Sequence, residues 1–352
     1  MLMRLLPSLT GPCCGDIGVD LGTATTVLCA CGGELVISEP SVIAVDARTG
    51  DPLTAGREAL ELLGREDIAA IRPIKDGAIV DVQPAAEMLR YLIAKVGRGG
   101  RRRPRVVASA SSAISAVQRR AVADVCVAAG AREVRLIARP LAAAVGCGLP
   151  VHEPIGSMVL DIGANTSEVA MISMRAIVAS QSIRVGDREF DQRIVAHLKR
   201  THQLLISEHT VERVKAELGS VRPDARHLQI EILGRDLPSG MLKRLRVTSQ
   251  EIHNLLNRPI TRIIEATKNT LVRTPPQLAG DIIDRGITIT GDSPLLRGVA
   301  YQIGLQTGTP AHVAESAGTC IAIGAARSLQ QQPARAQHSA RTAISLTTAP
   351  SH

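Results

Sequence analysis

Two short apolar runs in the chain lead into the same polar signature. Val159–Thr166 reads V-L-D-I-G-A-N-T and Val19–Thr25 reads V-D-L-G-T-A-T, so Asp20, Gly22 and Thr25 answer Asp161, Gly163 and Thr166. Each pattern predicts a buried strand entering a hairpin turn. The interval between the copies suits one domain and is too long for a solenoid period.

Around these hairpins the apolar spacing alternates between strand and helix. In the first half, Asp16–Val19 and Thr25–Cys31 predict the first hairpin, and Val36–Val45 predicts a further strand bent at Pro40. Helices are expected at Gly56–Leu63, Ala85–Val96, Ser115–Ala129 and Ala138–Cys147, the last starting at Pro140. Arg105–Ala108 and Val134–Ile137 read as strands, and Ile71–Asp81 brings the chain back to the first strands. The second half predicts strands at Met158–Asp161, Glu168–Ile172, Ile177–Ser182, Gln229–Leu233, Leu242–Val247 and Gly286–Ile289. Its helices are Asp187–Thr201, Ser207–Leu218 and one or two within Thr248–Thr274, where Pro259 breaks or starts a helix and Pro275–Pro276 ends the segment. A helix capped by Ser293 and Pro294 runs through Leu305, and Ala317–Leu329 forms a last, small-residue helix. Residues 1–15 are expected to be mobile and 331–352 disordered. Strands alternating with helices, with each half opening on one hairpin, predict a duplicated α/β fold.

Composition narrows the chemistry. With 45% apolar and 21% charged residues among 352, the chain suits two folded domains. There is no Trp, and Phe190, Tyr91 and Tyr301 are the only aromatics of the Phe and Tyr kind, so the core is aliphatic and base-stacking platforms are excluded. The net charge of +8 suits an acidic partner, and part of it is concentrated in Arg98–Arg105 and in the tail. Seven cysteines without a C-x-x-C exclude a disulfide framework and a cysteine zinc site, and predict reduced thiols in a cytoplasmic protein. No apolar run is long enough to span a bilayer, and Met1–Leu6 is too short for a signal-peptide core.

The paired turns carry the candidate chemistry. An Asp at a strand end can hold a hydrated Mg²⁺, while Gly and Thr let backbone N–H groups and hydroxyls close around phosphate oxygens. Two such turns facing each other can grip one nucleotide polyphosphate.

Further motifs extend the pattern: S-E-P-S-V at Ser38–Val42, A-I-R-P-I-K-D-G at Ala70–Gly77, A-G-A-R-E-V at Ala129–Val134 and P-L-A-A-A-V-G-C-G-L-P at Pro140–Pro150. S-I-R-V-G at Ser182–Gly186, T-V-E-R-V-K-A-E-L-G-S at Thr210–Ser220 and T-G-D-S-P-L-L-R-G at Thr290–Gly298 complete it. With these the chain resembles the MreB/Mbl family of bacterial actins, within the actin, sugar-kinase and heat-shock-chaperone ATPase superfamily, from about Ile17 to Leu329. The resemblance implies an actin-like ATPase fold with two lobes around a nucleotide cleft. Lobe I would be 16–150 plus 316–330 with an insertion at 35–71. Lobe II would be 151–315 with an insertion at 186–255. It implies ATP and Mg²⁺ in the cleft and filaments on the inner face of the cell membrane that guide wall synthesis and cell shape. Expected partners are a second copy of the chain, other MreB-like proteins, the wall-synthesis machinery and the membrane surface, with no nucleic acid.

By the same resemblance Asp20 and Asp161 would orient the metal. Gly22, Thr23, Ala24 and Thr25 would wrap the β-phosphate, and Gly163, Ala164, Asn165 and Thr166 would meet the γ-phosphate. Glu212 and Lys215 would hold the nucleoside, though alone they read as an exposed i,i+3 ion pair. Gly291 and Asp292 would form the adenosine-side turn. The departures cluster at the chemistry. Family sequences read I-E-E-P where this chain has Ile137-Ala138-Arg139-Pro140, so Arg139 stands at the position of the water-activating glutamate. A guanidinium cannot accept a proton. Ala164 and Asn165 replace glycines in the second phosphate turn, and Asp292 adds negative charge beside an anionic ligand. These changes predict impaired hydrolysis and weakened binding. The alternatives are a non-polymerising adaptor of true MreB filaments and a superfamily small-molecule kinase. Arg98, Arg101, Arg102, Arg103 and Arg105, with Lys95, form a basic run suited to an anionic leaflet, and Met1–Leu6 is a candidate short anchor.

Overall fold

The structure, a computed structural model, describes residues 15–30, 36–96, 103–222, 228–291 and 296–330. The chain opens with β1 (Ile17–Leu21), β2 (Thr25–Ala30) and β3 (Val36–Pro40), paired antiparallel in that order. β4 (Ile43–Asp46), β5 (Pro52–Ala55) and β6 (Ile68–Ile71) form a separate three-stranded sheet, with α1 (Arg57–Glu61) between the last two. The expected single strand Val36–Val45 is thus two strands in two sheets, because the chain turns at Pro40–Val42 and gives one half to each. Short strands β7 (Ile74–Lys75) and β8 (Ala78–Ile79) lead into α2 (Val82–Val96). β9 (Arg105–Ala110), α3 (Ala116–Ala128) and β10 (Glu133–Ala138) then add two parallel strands beside β1, and α4 (Arg139–Gly146) follows directly.

The second half repeats the plan. β11 (Ser157–Ile162), β12 (Ser167–Ser173) and β13 (Ala176–Ile183) are antiparallel. Next come α5 (Asp187–His202), β14 (Leu204–Leu205), α6 (Glu208–Leu218), β15 (Gln229–Asp236) and β16 (Leu242–Thr248), whose strands form a three-stranded sheet. α7 (Ser249–Val272), α8 (Pro276–Arg285), β17 (Ile287–Thr290), α9 (Val299–Thr307) and β18 (Ala311–Val313) complete this half, with β17 parallel to β11. The two five-stranded sheets run β3-β2-β1-β9-β10 and β13-β12-β11-β17-β18, the same order twice. The last helix, α10 (Cys320–Gln330), crosses back to the first sheet.

Burial explains these elements. β11 and β12 are buried at every position, as expected where helices cover both faces of a sheet. α7 runs unbroken through Pro259, which lies among the buried Ile252, Leu256, Ile260, Ile263 and Ile264. Packing along that stripe outweighs the roughly 3 kcal/mol that an interior proline costs. The sequence pattern does not predict α8, because Pro275–Pro276 reads as a stop. Pro276 instead occupies the first turn, where a missing N–H costs nothing. The Ser293–Pro294 cap, residues 1–14 of the N-terminal segment and the 331–352 tail lie outside the described residues.

α10 packs on α4 through backbone rather than side chains. A Cβ at Gly146 would stand 1.8 Å from the Cys320 carbonyl oxygen, and one at Gly324 would stand 1.8 Å from that of Ala142. Ala142, Ala143 and Ala144 line the same contact. This close approach fixes α4, and with it the side chain of Arg139 at its first position.

Candidate functional site

The duplicated turns close with the same hydrogen bond. Gly22 N–H donates to Thr25 O at 3.1 Å, and Gly163 N–H donates to Thr166 O at 2.9 Å. Behind the first turn, Ser41 Oγ donates to Gly22 O at 2.7 Å and Gly77 N–H donates to Thr23 Oγ1 at 2.8 Å. Behind the second, the first residues of α5 are anchored: Asp187 N–H to Gly163 O at 3.0 Å and Arg188 N–H to Ala164 O at 2.8 Å. Asn165 donates through Nδ2 to Asp76 Oδ1 at 2.7 Å, tying the second turn to the first half, while its Oδ1 is buried without a hydrogen-bond partner among the described residues.

Asp20 and Asp161 are the next-to-last residues of β1 and β11, and both are buried, at 3% and 2% exposed. Their carboxylates converge on one side chain. Arg139 Nη2 lies 3.2 Å from Asp20 Oδ2, and Arg139 Nε lies 2.9 Å from Asp161 Oδ2. The remaining oxygens are also engaged: Ser109 Oγ donates to Asp20 Oδ1, and Thr290 Oγ1 donates to Asp161 Oδ1 at 3.0 Å. Burial pushes the Asp20 carboxyl above the usual carboxylate range. Arg139 and the Ser109 hydroxyl pull it down, and Asp161 adds a smaller upward push. Next to this group Glu168, opposite Asp161 in the β11–β12 register, accepts from Ser112 N–H at 2.9 Å and from the Ser112 hydroxyl. Burial raises its pKa too, against those hydrogen bonds. The ends of the two main sheets therefore hold Asp20, Asp161 and Glu168 with Arg139 between the two aspartates.

Two converging aspartates are the right donor set for a hydrated Mg²⁺. The space between them is taken by the guanidinium, which uses the Oδ2 atom of each. The arrangement therefore does not fit a metal at that point, and the positive charge there belongs to Arg139.

Lys215 and Glu212 do not form the exposed pair that their spacing suggests. Lys215 is only 6% exposed, and its Nζ reaches Asp187 Oδ2 at 2.5 Å and Asp191 Oδ1 at 2.8 Å, while Glu212 stays exposed on the outer face of α6. Burial lowers the Lys215 pKa, but the two aspartates raise it more. Gly291 N–H donates to Ala317 O at 3.1 Å, and Asp292 lies outside the described residues. A groove of about 480 Å³ opens beside the second turn, lined by Asp76, Asn165, Thr166, Arg184, Arg188 and Arg193 among others.

The sequence reading missed Ser109, Ser112, Glu168, Thr290, Asp187 and Asp191. Each is a partner of a predicted site residue or sits beside one, and only the fold brings them together. Part of the basic run is used internally. Arg105 Nε donates to Asp16 Oδ1 at 2.9 Å and Arg103 Nε donates to Gly130 O at 3.0 Å, while Arg98, Arg101, Arg102 and Met1–Leu6 lie outside the described residues. No described helix is long and apolar enough to cross a membrane.

The family model for MreB/Mbl protein matches residues 14–337. The chain belongs to the MreB/Mbl family. It is 40% identical over 312 residues to the cell shape-determining protein Mbl of Bacillus subtilis, covering 88% of this chain and 94% of that one. To the cell shape-determining protein MreB of Escherichia coli K12 it is 41% identical over 334 residues, covering 93% and 96%. Its fold matches the crystal structure of MreB5 of Spiroplasma citri bound to ADP with a TM-score of 0.81, at 29% identity and over 90% of this chain and 98% of that one. The duplicated α/β architecture is thus the actin-like fold of that family.

Proposed function

We propose that this MreB/Mbl-family chain binds an adenine nucleotide between its two halves, assembles with copies of itself into membrane-associated filaments of the cell-shape system, and hydrolyses the nucleotide slowly or not at all. The observation that carries the reading is Arg139 bridging Asp20 and Asp161. The matching hydrogen bonds of the two turns support a polyphosphate held by Gly22–Thr25 on one side and Gly163–Thr166 on the other. The ADP-bound relative supports the nucleotide class. We assign the nucleoside end to Glu212, Lys215 and Gly291, with Asp187 and Asp191 on α5 bracing Lys215.

Each residue of the cleft has a separable role. The guanidinium offsets two buried carboxylates, so an incoming phosphate meets less repulsion than it would from Asp20 and Asp161 alone. It offers donors only and cannot take a proton from an attacking water. Glu168 is a further buried acid, opposite Asp161, and its Oε1 accepts from Ser112. The missing acid before Pro140 also weighs against a small-molecule kinase. Titration of ATP and ADP with Mg²⁺ and with EDTA, alongside phosphate release and sedimentation, tests the proposal. Binding that changes little with Mg²⁺, negligible phosphate release and pelletable filaments are expected. Arg139→Glu should restore turnover and Mg²⁺ dependence. Turnover by the unaltered chain at the rate of an I-E-E-P relative overturns the reading, and no sedimentation at any nucleotide state would leave the adaptor.

A further inference from the structure

Away from the cleft, the end of α5 and the start of α7 bring together His197, His202 and Glu251. Both imidazoles address one carboxylate oxygen: His197 Nε2 lies 2.6 Å and His202 Nε2 2.9 Å from Glu251 Oε1. The three ligand atoms all lie within 4.8 Å of one another. We propose that His197, His202 and Glu251 form a binding site for a divalent transition cation of the Zn²⁺ class, bracing α5 against α7.

The donor set selects the cation. Two imidazoles and a carboxylate suit Zn²⁺, Co²⁺ or Ni²⁺ and disfavour Mg²⁺ and Ca²⁺, which take oxygen ligands. Three protein ligands leave a fourth position for water, and all three side chains are partly exposed, so a hydrated ion can reach them. The geometry is close to what a metal needs. Bonds of about 2.0–2.1 Å at a tetrahedral centre place ligand atoms roughly 3.3 Å apart. The two N–O separations, 2.6 and 2.9 Å, need to open by about 0.7 and 0.4 Å to reach that spacing, within the reach of side-chain torsions.

The surroundings prepare the ligands. Thr201 Oγ1 lies 3.4 Å from His197 Nδ1, where it can accept the ring proton when Nε2 takes a metal. Glu251 N–H donates to the α7 cap Thr248 Oγ1 at 3.2 Å, which fixes the helix end that carries the carboxylate. His202 is the last residue of α5, where the carbonyl end of the helix favours positive charge. Two histidines tied to a carboxylate also make a plain hydrogen-bonded brace, and the experiment separates the two cases.

The test is Co²⁺ titration of the full-length, tag-free protein under reducing conditions, followed by the visible d–d absorption of a nitrogen- and oxygen-ligated ion, with Zn²⁺ displacement and a thermal melt. One equivalent of tetrahedral Co²⁺ without a thiolate charge-transfer band is expected, displaced by Zn²⁺ and accompanied by a raised melting temperature. His202→Gln should weaken binding at least tenfold, and Glu251→Gln likewise; the second covers the case in which the first misfolds. No d–d absorption at millimolar Co²⁺ overturns the proposal, as does absorption that both variants retain unchanged or that carries a thiolate band. Because the site is remote from the cleft, nucleotide binding by the His202→Gln protein distinguishes failure here from failure of the functional reading.

Discussion

Replacing Arg139 with Ala removes the cation that two buried carboxylates share. Asp20 and Asp161 are almost wholly buried, and the Arg139 side chain is itself only 15% exposed, so solvent cannot substitute for it without opening the cleft. Removing one partner of a buried ion pair costs about 3–5 kcal/mol, and here one deletion orphans two partners. Ser109 and Thr290 still hold one oxygen of each carboxylate, which keeps the expected loss inside that range rather than at twice it. With a denaturant slope of about 3 kcal/mol per molar urea or more, the unfolding midpoint at pH 7 should fall by about 1 M. The pH dependence has a defined sign. Burial places the folded-state pKa of Asp20 above its unfolded value, so its contribution is fully favourable below the unfolded value and is lost as pH rises through the folded one. Without Arg139 the folded value climbs further, so the gap between variant and parent should narrow on acidification from pH 7 towards 4. Urea titrations at several pH values measure this. An unchanged midpoint at pH 7, or a gap that widens in acid, refutes the shared-cation argument.

Lys215→Met should cost about 1.5–3 kcal/mol by leaving Asp187 and Asp191 unpaired, and in the parent that stability should be present below the unfolded lysine value and lost as pH rises through the raised folded one; alkaline urea titrations measure both. Gly324→Ala should cost at least 1–3 kcal/mol, because its Cβ meets the Ala142 backbone oxygen rather than a movable side chain; the readout is soluble yield and denaturation midpoint. Glu58 is held down to about 2, chiefly by the Tyr91 hydroxyl, with Lys95 and Thr54 adding to it. Tyr91→Phe should move that titration back up towards the ordinary range, read by carboxyl-carbon NMR.

What the sequence made legible was local. The two Asp-x-Gly-x-x-Thr turns depend on near neighbours, so their spacing alone placed Asp20 and Asp161 at matching strand ends. The exchange of glutamate for Arg139 was visible beside Pro140, and so was its bar to proton acceptance. Its clamp on both aspartates was not, because it requires β10 to deliver α4 between two sheets whose strands come from distant parts of the chain. The partners of Lys215 were hidden for a related reason: the i,i+3 rule points to Glu212, whereas packing of α5 on α6 supplies Asp187 and Asp191. His197 and His202 are five residues apart, about 140° around an ideal helix, and Glu251 is far downstream, so spacing gave no sign that they meet. Pro259 shows the opposite error. A strong local rule yielded to a long buried stripe.

The seating of α10 on α4 and β1 sets an order of events for biosynthesis. The sheet that begins with the earliest described strand is covered by the last described helix, with Ala322 and Ala326 packed on Val27 and Cys29. The first half therefore leaves the ribosome with one face bare and waits while the whole intervening half is made, although domains generally mature in the order of synthesis. The younger half, with its own large apolar interior, can settle before the older one is sealed. A chain stopped short of residue 320 would expose that bare face and become a client for chaperones or proteases.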